Sequence, residues 1–144
     1  MRKIVVMRGV SGSGKSSFVF NNFPNATVCS ADNFFMQTGE YKFDGSKLRQ
    51  AHDWCKNQFE SALRRGDDQV VVDNTNTTMR ELKFYVDTAA KYGYELQVVR
   101  LVVDPAIAAA RNQHGVPAEG VQAMQNRFQD FPGETIVDTT PVSE

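Results

Sequence analysis

Nothing in this sequence is in large excess, and each shortage removes a class of protein. There are only two cysteines in 144 residues. Cys29 falls in an apolar strand pattern and Cys55 in a helical one, with no paired spacing. Neither a disulfide framework nor a cysteine metal site is indicated, and both read as core thiols of a reducing compartment. Long apolar runs are missing too. "MRKIVVMRG" stays apolar for only a few positions before its glycine, too short for a signal peptide or a membrane span. The expected location is cytoplasmic, with no membrane partner. Neither sign of charge dominates: 16 basic and 17 acidic side chains leave a net charge of −1. That excludes a broad basic surface for tight, non-specific nucleic-acid binding, though not a small local groove. Repeats, low-complexity segments and linkers are also lacking. What remains is 41% hydrophobic and 23% charged, the balance of a single globular domain.

Four β-branched apolar runs predict strands at Ile4–Met7, Thr27–Cys29, Val70–Val72 and Leu96–Val103. Helical patterns lie between them. The first follows Lys15 to Phe23, ahead of Pro24. The second begins near Ser46, carries Leu48, Ala51, Cys55, Phe59 and Ala62 on one face, and stops at Gly66. The third opens with Thr78 and Glu81 in capping-box spacing, buries Leu82, Val86 and Ala89, and stops at Gly93. A fourth starts at Asp104-Pro105, an N-cap followed by proline in the first turn. A fifth runs from about Pro117 with Val121, Met124, Phe128 and Phe131 inward. Alternation of strands and helices predicts an α/β, three-layer fold: a parallel sheet of four or five strands with helices on both faces. The domain is expected to span 1–131, with a lid at about 104–117 and a loosely ordered tail over 132–144.

"GVSGSGKS", Gly9 to Ser16, matches G-x-x-x-x-G-K-[ST] in full, directly after a strand and before a helix. Glycines let the backbone turn its N–H groups inward around an anion at the positive end of the helix. Gly9, Ser11, Gly12, Ser13, Gly14, Lys15, Ser16 and Ser17 are the predicted nucleotide-binding set of a P-loop NTPase fold. Lys15 supplies a mobile charge for the β- and γ-phosphates, and the Ser16 hydroxyl a ligand for the magnesium that accompanies ATP. The motif identifies the donor and leaves the acceptor open.

Asp73 ends the buried run "VVVD", where a carboxylate can hold magnesium directly or through water; as a turn residue it would compete with Thr78, the better cap. Asn74, Thr75 and Asn76 follow in a polar loop at the carboxyl end of a strand, the edge that lines the ligand crevice in open α/β sheets. They read either as acceptor contacts or as ordinary turn chemistry. Asp32, in "SADNFF", also projects from a strand end. By position it is equally a general base for an attacking hydroxyl or a turn residue. Phe34 and Phe35 beside it read as a stacking surface or as cleft wall. In "AAARNQHG", Arg111 is either a lid guanidinium for the transferring phosphoryl group or a helix-end charge. His114 is either a phosphate donor or a C-terminal cap.

The segments "RGVSGSGKSS", "SADNFF", "YKFDGSKLRQAHDW", "VVVDNTN" and "ARNQHGV" resemble the 5′-hydroxyl polynucleotide kinase family of P-loop kinases. They are closest to the polynucleotide-kinase-like domain of animal ubiquitin-ligase-binding proteins and its small phage and bacterial relatives. The order is the family's own, and "DNTN" with "RNQHGV" is the specific part. The resemblance implies an adenylate-kinase-like core in which Asp32 activates the acceptor hydroxyl, Lys15 and Ser16 manage ATP and magnesium, and Arg111 belongs to the lid. The implied acceptor is a single-stranded or end-exposed nucleic-acid 5′ terminus. A small molecule or modified nucleoside is the alternative, and a non-catalytic ATP-binding module a further one. Phe35 occupies the position where phage-type members carry an arginine that grips the acceptor phosphate. His114 stands near the place of their second lid arginine.

Overall fold

Each β-branched run becomes a parallel strand. The computed structural model describes residues 2–37, 39, 42–111 and 115–140. Its strands are β1 (Lys3–Arg8), β2 (Thr27–Cys29), β3 (Gln69–Asp73) and β4 (Glu95–Val102). A fifth, β5 (Thr135–Asp138), completes a sheet of order β2-β3-β1-β4-β5 in which every pairing is parallel. β1 and β3 are central and covered on both faces, which is why they are nearly continuous valine and isoleucine.

The strand β5 corrects one expectation. Periodicity is lost from Pro132 and predicts a loose tail, yet residues 135–138 pair with Val99–Val102 of β4. Main-chain pairing to an edge needs no apolar alternation. Only Val137 packs inward, while Ile136 stays 58% exposed.

The helices are α1 (Lys15–Asn22), α2 (Leu48–Arg65), α3 (Met79–Tyr92), α4 (Pro105–Arg111) and α5 (Ala118–Asn126). Right-handed crossovers fix their sides. The step from β1 to β2 places α1 on one face, over Val5, Met7, Val71 and Val99. The two return steps place α2 and α3 on the other, over Ile4, Val6, Val70 and Val72. Burying each large apolar side chain there is worth about 1.5–3 kcal/mol. Thr78 and Glu81 form the predicted capping box, and α2 ends at Gly66 with φ 78°. Leu48, predicted on the buried face, is 43% exposed, because the first turn of α2 overhangs the core. The last helix stops at Asn126, so Phe128 packs beneath α4 and α5 while Phe131 joins the α2–α3 core. Among the described residues no helix is long and apolar enough to cross a membrane.

Strand parity puts Arg8 on the same side as Ile4 and Val6, and it is fully buried. Nε donates to the Asn76 carbonyl at 2.8 Å, and Nη2 to those of Thr77 at 3.0 Å and Gln129 at 2.6 Å. Nη1 meets Glu134 Oε1 at 2.7 Å. Two guanidiniums lie over the Phe128 ring, Arg8 at 5.3 Å and Arg100 at 5.1 Å from its centre. One buried charge thus ties the root of β1 to the β3–α3 loop and to the chain leading into β5.

Candidate active site

Register brings three chain segments to one edge of the sheet. Met7 lies beside Asp73, and Cys29 beside Val72. The loop after β1, the end of β3 and the turn after β2 therefore emerge together at the carboxyl end.

In the loop after β1, Gly12 and Gly14 take φ values of 82° and 94°, in the left-handed region that glycine tolerates. Gly12 also faces α4 so closely that a Cβ would overlap the Ala108 carbonyl oxygen. Gly14 caps α1 with no side-chain partner for the first-turn N–H groups, which leaves the positive end of the helix directed into the loop. Ser13 is fully buried against Gly9, and its Oγ has no hydrogen-bond partner among the described residues. Lys15 is half-buried. Its Nζ donates to the carbonyls of Gly9 at 2.8 Å and Val10 at 3.0 Å.

Four predicted residues converge here. Ser16 Oγ donates to Asp73 Oδ2 at 3.2 Å. Burial raises the Asp73 carboxyl above its usual range, opposed by the Lys15 charge and the Ser16 hydrogen bond. Burial lowers the Lys15 ammonium, opposed by Asp73 first and Asp32 second. Asp32 is thus within electrostatic reach of both. It stands exposed on a 3-10 turn, Ala31–Met36, where the Ser30 hydroxyl accepts its backbone N–H at 3.2 Å. The hydroxyl oxygen of Ser16 and the carboxylate of half-buried Asp73 are hard donors, 3.2 Å apart, at the mouth of the loop. Such donors fit a magnesium ion that retains most of its waters.

Other predicted residues land elsewhere. Asn74 and Asn76, read as acceptor contacts, are buried and spend their amides internally. Asn74 Oδ1 accepts from Ala31 N at 2.9 Å and its Nδ2 faces Cys55 Sγ; Asn76, at φ 48°, donates to the Met7 carbonyl at 2.8 Å. They fasten the β3–α3 loop to β1 and to the Asp32 turn. Thr75 is half-buried, and its carbonyl accepts from Gly9 N at 3.1 Å. Phe35, read as a substrate contact, is 5% exposed and belongs to the core. Ser11 is half-buried in the loop, and Ser17 is exposed on the first turn of α1. Arg111 ends α4, exposed, on the helix that covers Gly12. His114 lies outside the described residues. Thr139, beyond β5, adds a contact that no sequence feature signalled. Its Oγ1 donates to the Ser13 carbonyl at 2.6 Å, while its N–H bonds Val102 O at 2.8 Å.

The sequence profile of the AAA domain family (AAA_33) matches residues 4–131. The chain belongs to this family. Human (Homo sapiens) NEDD4-binding protein 2 is 31% identical over 148 positions, which cover 98% of this AAA domain and 8% of that protein. The AAA domain thus spans a small fraction of that relative's length. Among solved structures, the Mycobacterium tuberculosis APS kinase CysC in complex with AMPPNP and APS superposes with a TM-score of 0.65 at 18% identity. It covers 99% of this chain and 90% of its own. A chain of the Pnkp1/Rnl/Hen1 RNA repair complex superposes with a TM-score of 0.71 at 16% identity, covering 89% of this chain and 44% of its own. These likenesses establish the α/β P-loop NTPase fold.

Lys15, Ser16 and Asp73, read from motif spacing, and Asp32, favoured through the family resemblance, lie near one another. Motif spacing missed Arg8, although a charge at an inward parity position of a central strand is a readable signal. Thr139 had no such signal, because its partner is a backbone carbonyl 126 residues away.

Proposed function

We propose that this domain is a kinase that moves the γ-phosphoryl group of ATP to a hydroxyl, the 5′-hydroxyl of a nucleic-acid strand. The observation that carries the reading is the convergence of Lys15, Ser16, Asp73 and the exposed carboxylate of Asp32 at one edge of the sheet. A domain that only bound nucleotide would need the first three. The resemblance of the Asp32 and Asp73 segments to 5′-hydroxyl polynucleotide kinases supports the choice of acceptor, as does the shared fold with a chain of an RNA repair complex.

Each residue has a defined task. Asp32 accepts the proton of the attacking hydroxyl as the new O–P bond forms and the bond to the β-phosphate oxygen breaks. Lys15 exchanges the carbonyls of Gly9 and Val10 for β- and γ-phosphate oxygens. Ser16 and Asp73 would hold magnesium, which when bound would neutralise phosphate charge. Arg111, at the exposed end of α4, would act as the lid guanidinium that stabilises charge on the transferring group.

Labelled ATP offered with 5′-hydroxyl DNA, 5′-hydroxyl RNA and free nucleosides tests the assignment. Label is expected on oligonucleotide 5′ ends. Equal labelling of nucleosides would favour a small-molecule acceptor, the reading suggested by the uncharged, buried Phe35. No labelling of any hydroxyl would overturn the kinase.

The contact from Thr139 gives a second expectation. Thr139→Val removes one hydrogen bond to the phosphate loop, worth about 0.5–1.5 kcal/mol. KM for ATP is expected to rise about 2- to 12-fold with kcat little changed, and Thr139→Ser to restore it. Steady-state kinetics decides. An unchanged KM in the valine variant would show that the loop holds its shape without Thr139.

A further inference from the structure

Adjacent residues of a strand point to opposite faces, and at the end of β3 this divides the work between two side chains. Asp73 faces α1, where its Oδ2 accepts from Ser16 Oγ at 3.2 Å. Asn74, the next residue, faces α2, where its Nδ2 lies 3.6 Å from Cys55 Sγ. It is 7% exposed, so both amide atoms have to find partners inside the protein. The second of them, Oδ1, accepts the backbone N–H of Ala31 at 2.9 Å. That N–H can only donate, which sets the orientation of the amide: oxygen to Ala31, nitrogen to the sulfur.

Ala31 immediately precedes the predicted base. β2 and β3 pair in register from Thr27 with Val70 to Cys29 with Val72. Carried on two positions, that register sets Ala31 opposite Asn74, beyond the last strand pair. There the side-chain oxygen does what a strand carbonyl does within the sheet, and extends the pairing past the point where the backbones part. Two more bonds follow along the turn: the Ser30 hydroxyl accepts Asp32 N–H at 3.2 Å, and the Ser30 carbonyl accepts Asn33 N–H at 3.1 Å. Those two are internal to the turn and set its shape. The bond from Asn74 sets its place against the neighbouring strand. Because Asp73 and Asn74 share one planar peptide unit, the same bond ties the Asp32 turn to the carboxylate of Asp73. The charge of Asp32 acts on both Lys15 and Asp73, so the separation being held is a short one.

We propose that Asn74 is a positioning residue for phosphoryl transfer, which holds the turn of Asp32 at a set distance from the Asp73–Ser16 pair and touches no substrate. This role rests on the reaction proposed above and refines it. A general base has to come within about 2.6–3.2 Å of the proton it takes, and that proton sits on a hydroxyl aligned with the γ-phosphate. A short 3-10 turn at a strand end is a loose mount for such a demand. A displacement of about 1 Å is enough to cost about 100-fold in rate. Asn74, expected from the sequence to meet the acceptor, acts on it instead through Asp32.

Single-turnover transfer from ATP to a 5′-hydroxyl oligonucleotide, beside a nucleotide titration, tests the role. Asn74→Ala is expected to lower the transfer rate about 10- to 100-fold and to leave ATP affinity as in the parent. Asn74→Ser, whose hydroxyl falls one bond short of the amide oxygen, should show the same split and serves if the alanine variant does not fold. Leu63→Ala, a core truncation at the far end of α2, should lower the melting temperature at least as far and keep the parent rate. In a protein already carrying Asp32→Asn, Asn74→Ala should cost nothing further, because no base is left to place. A parent rate in the Asn74 variants, an equal loss in Leu63→Ala, or losses that multiply in the double variant would each overturn the positioning role and leave the kinase standing. An Asp32→Asn protein as fast as the parent, or a parent that labels no hydroxyl, would overturn the base or the kinase itself, and this role with it.

Discussion

Asp32→Asn is expected to bind ATP as the parent does and to transfer phosphoryl at least about 100-fold more slowly, the lower range for losing a general base. The substitution is chosen for what it preserves. Asparagine serves in turns as well as aspartate, and the hydrogen bond from the residue 32 N–H to the Ser30 hydroxyl is a backbone interaction that either side chain keeps. The side chain is exposed, so no packing is lost. If Asp32 is only a turn residue, the variant is silent. If it is the base, binding survives and chemistry does not. Single-turnover transfer to a 5′-hydroxyl acceptor, beside a nucleotide titration, distinguishes the two, and equal rates would remove Asp32 from the mechanism.

The second large effect concerns stability. Glu134→Ala should cost about 3–5 kcal/mol, the usual result of leaving a buried charge without its partner. Arg8 has no exposed surface, and the Glu134 side chain is 5% exposed. Removing the carboxylate strands the guanidinium in a site built around it, against a total stability of about 5–15 kcal/mol for a domain. Replacing both residues, as Arg8→Met with Glu134→Leu, should recover part of the loss, since it removes the unpaired charge as well. Denaturant midpoints for Arg8→Met, Glu134→Leu and the double variant give the coupling. A cost below about 1 kcal/mol for Glu134→Ala would mean that the pair behaves like a surface ion pair.

The limits of sequence reading in this chain have identifiable causes. The central strands and the helix caps were legible because burial on two faces and capping chemistry are local demands. Lys15, Ser16 and Asp73 followed from them, since a loop after one strand and a carboxylate ending its neighbour must meet. Asn74 and Asn76 misled because a polar side chain at a strand end can face a ligand or its own backbone. Here the N–H of Ala31 and the carbonyl of Met7, both distant in sequence, claimed them. Phe34 and Phe35 could not be apportioned between surface and core without the 3-10 turn that sets their directions. β5 was hidden because its short Thr135-Ile136-Val137 run sits between Pro132-Gly133 and the polar Asp138-Thr139-Thr140 segment, with only Val137 packed inward.

That last strand also moves a boundary. The family match ends at Phe131, but the sheet continues to Asp138, and Thr139 and Thr140 hold the phosphate loop and the start of α4 through Ser13 O and Asp104 N. The loop and the helix that covers it are therefore moored to the same two residues. Force or docking applied to polypeptide beyond that mooring would reach both together, a mechanical route into the nucleotide site that bypasses the acceptor side.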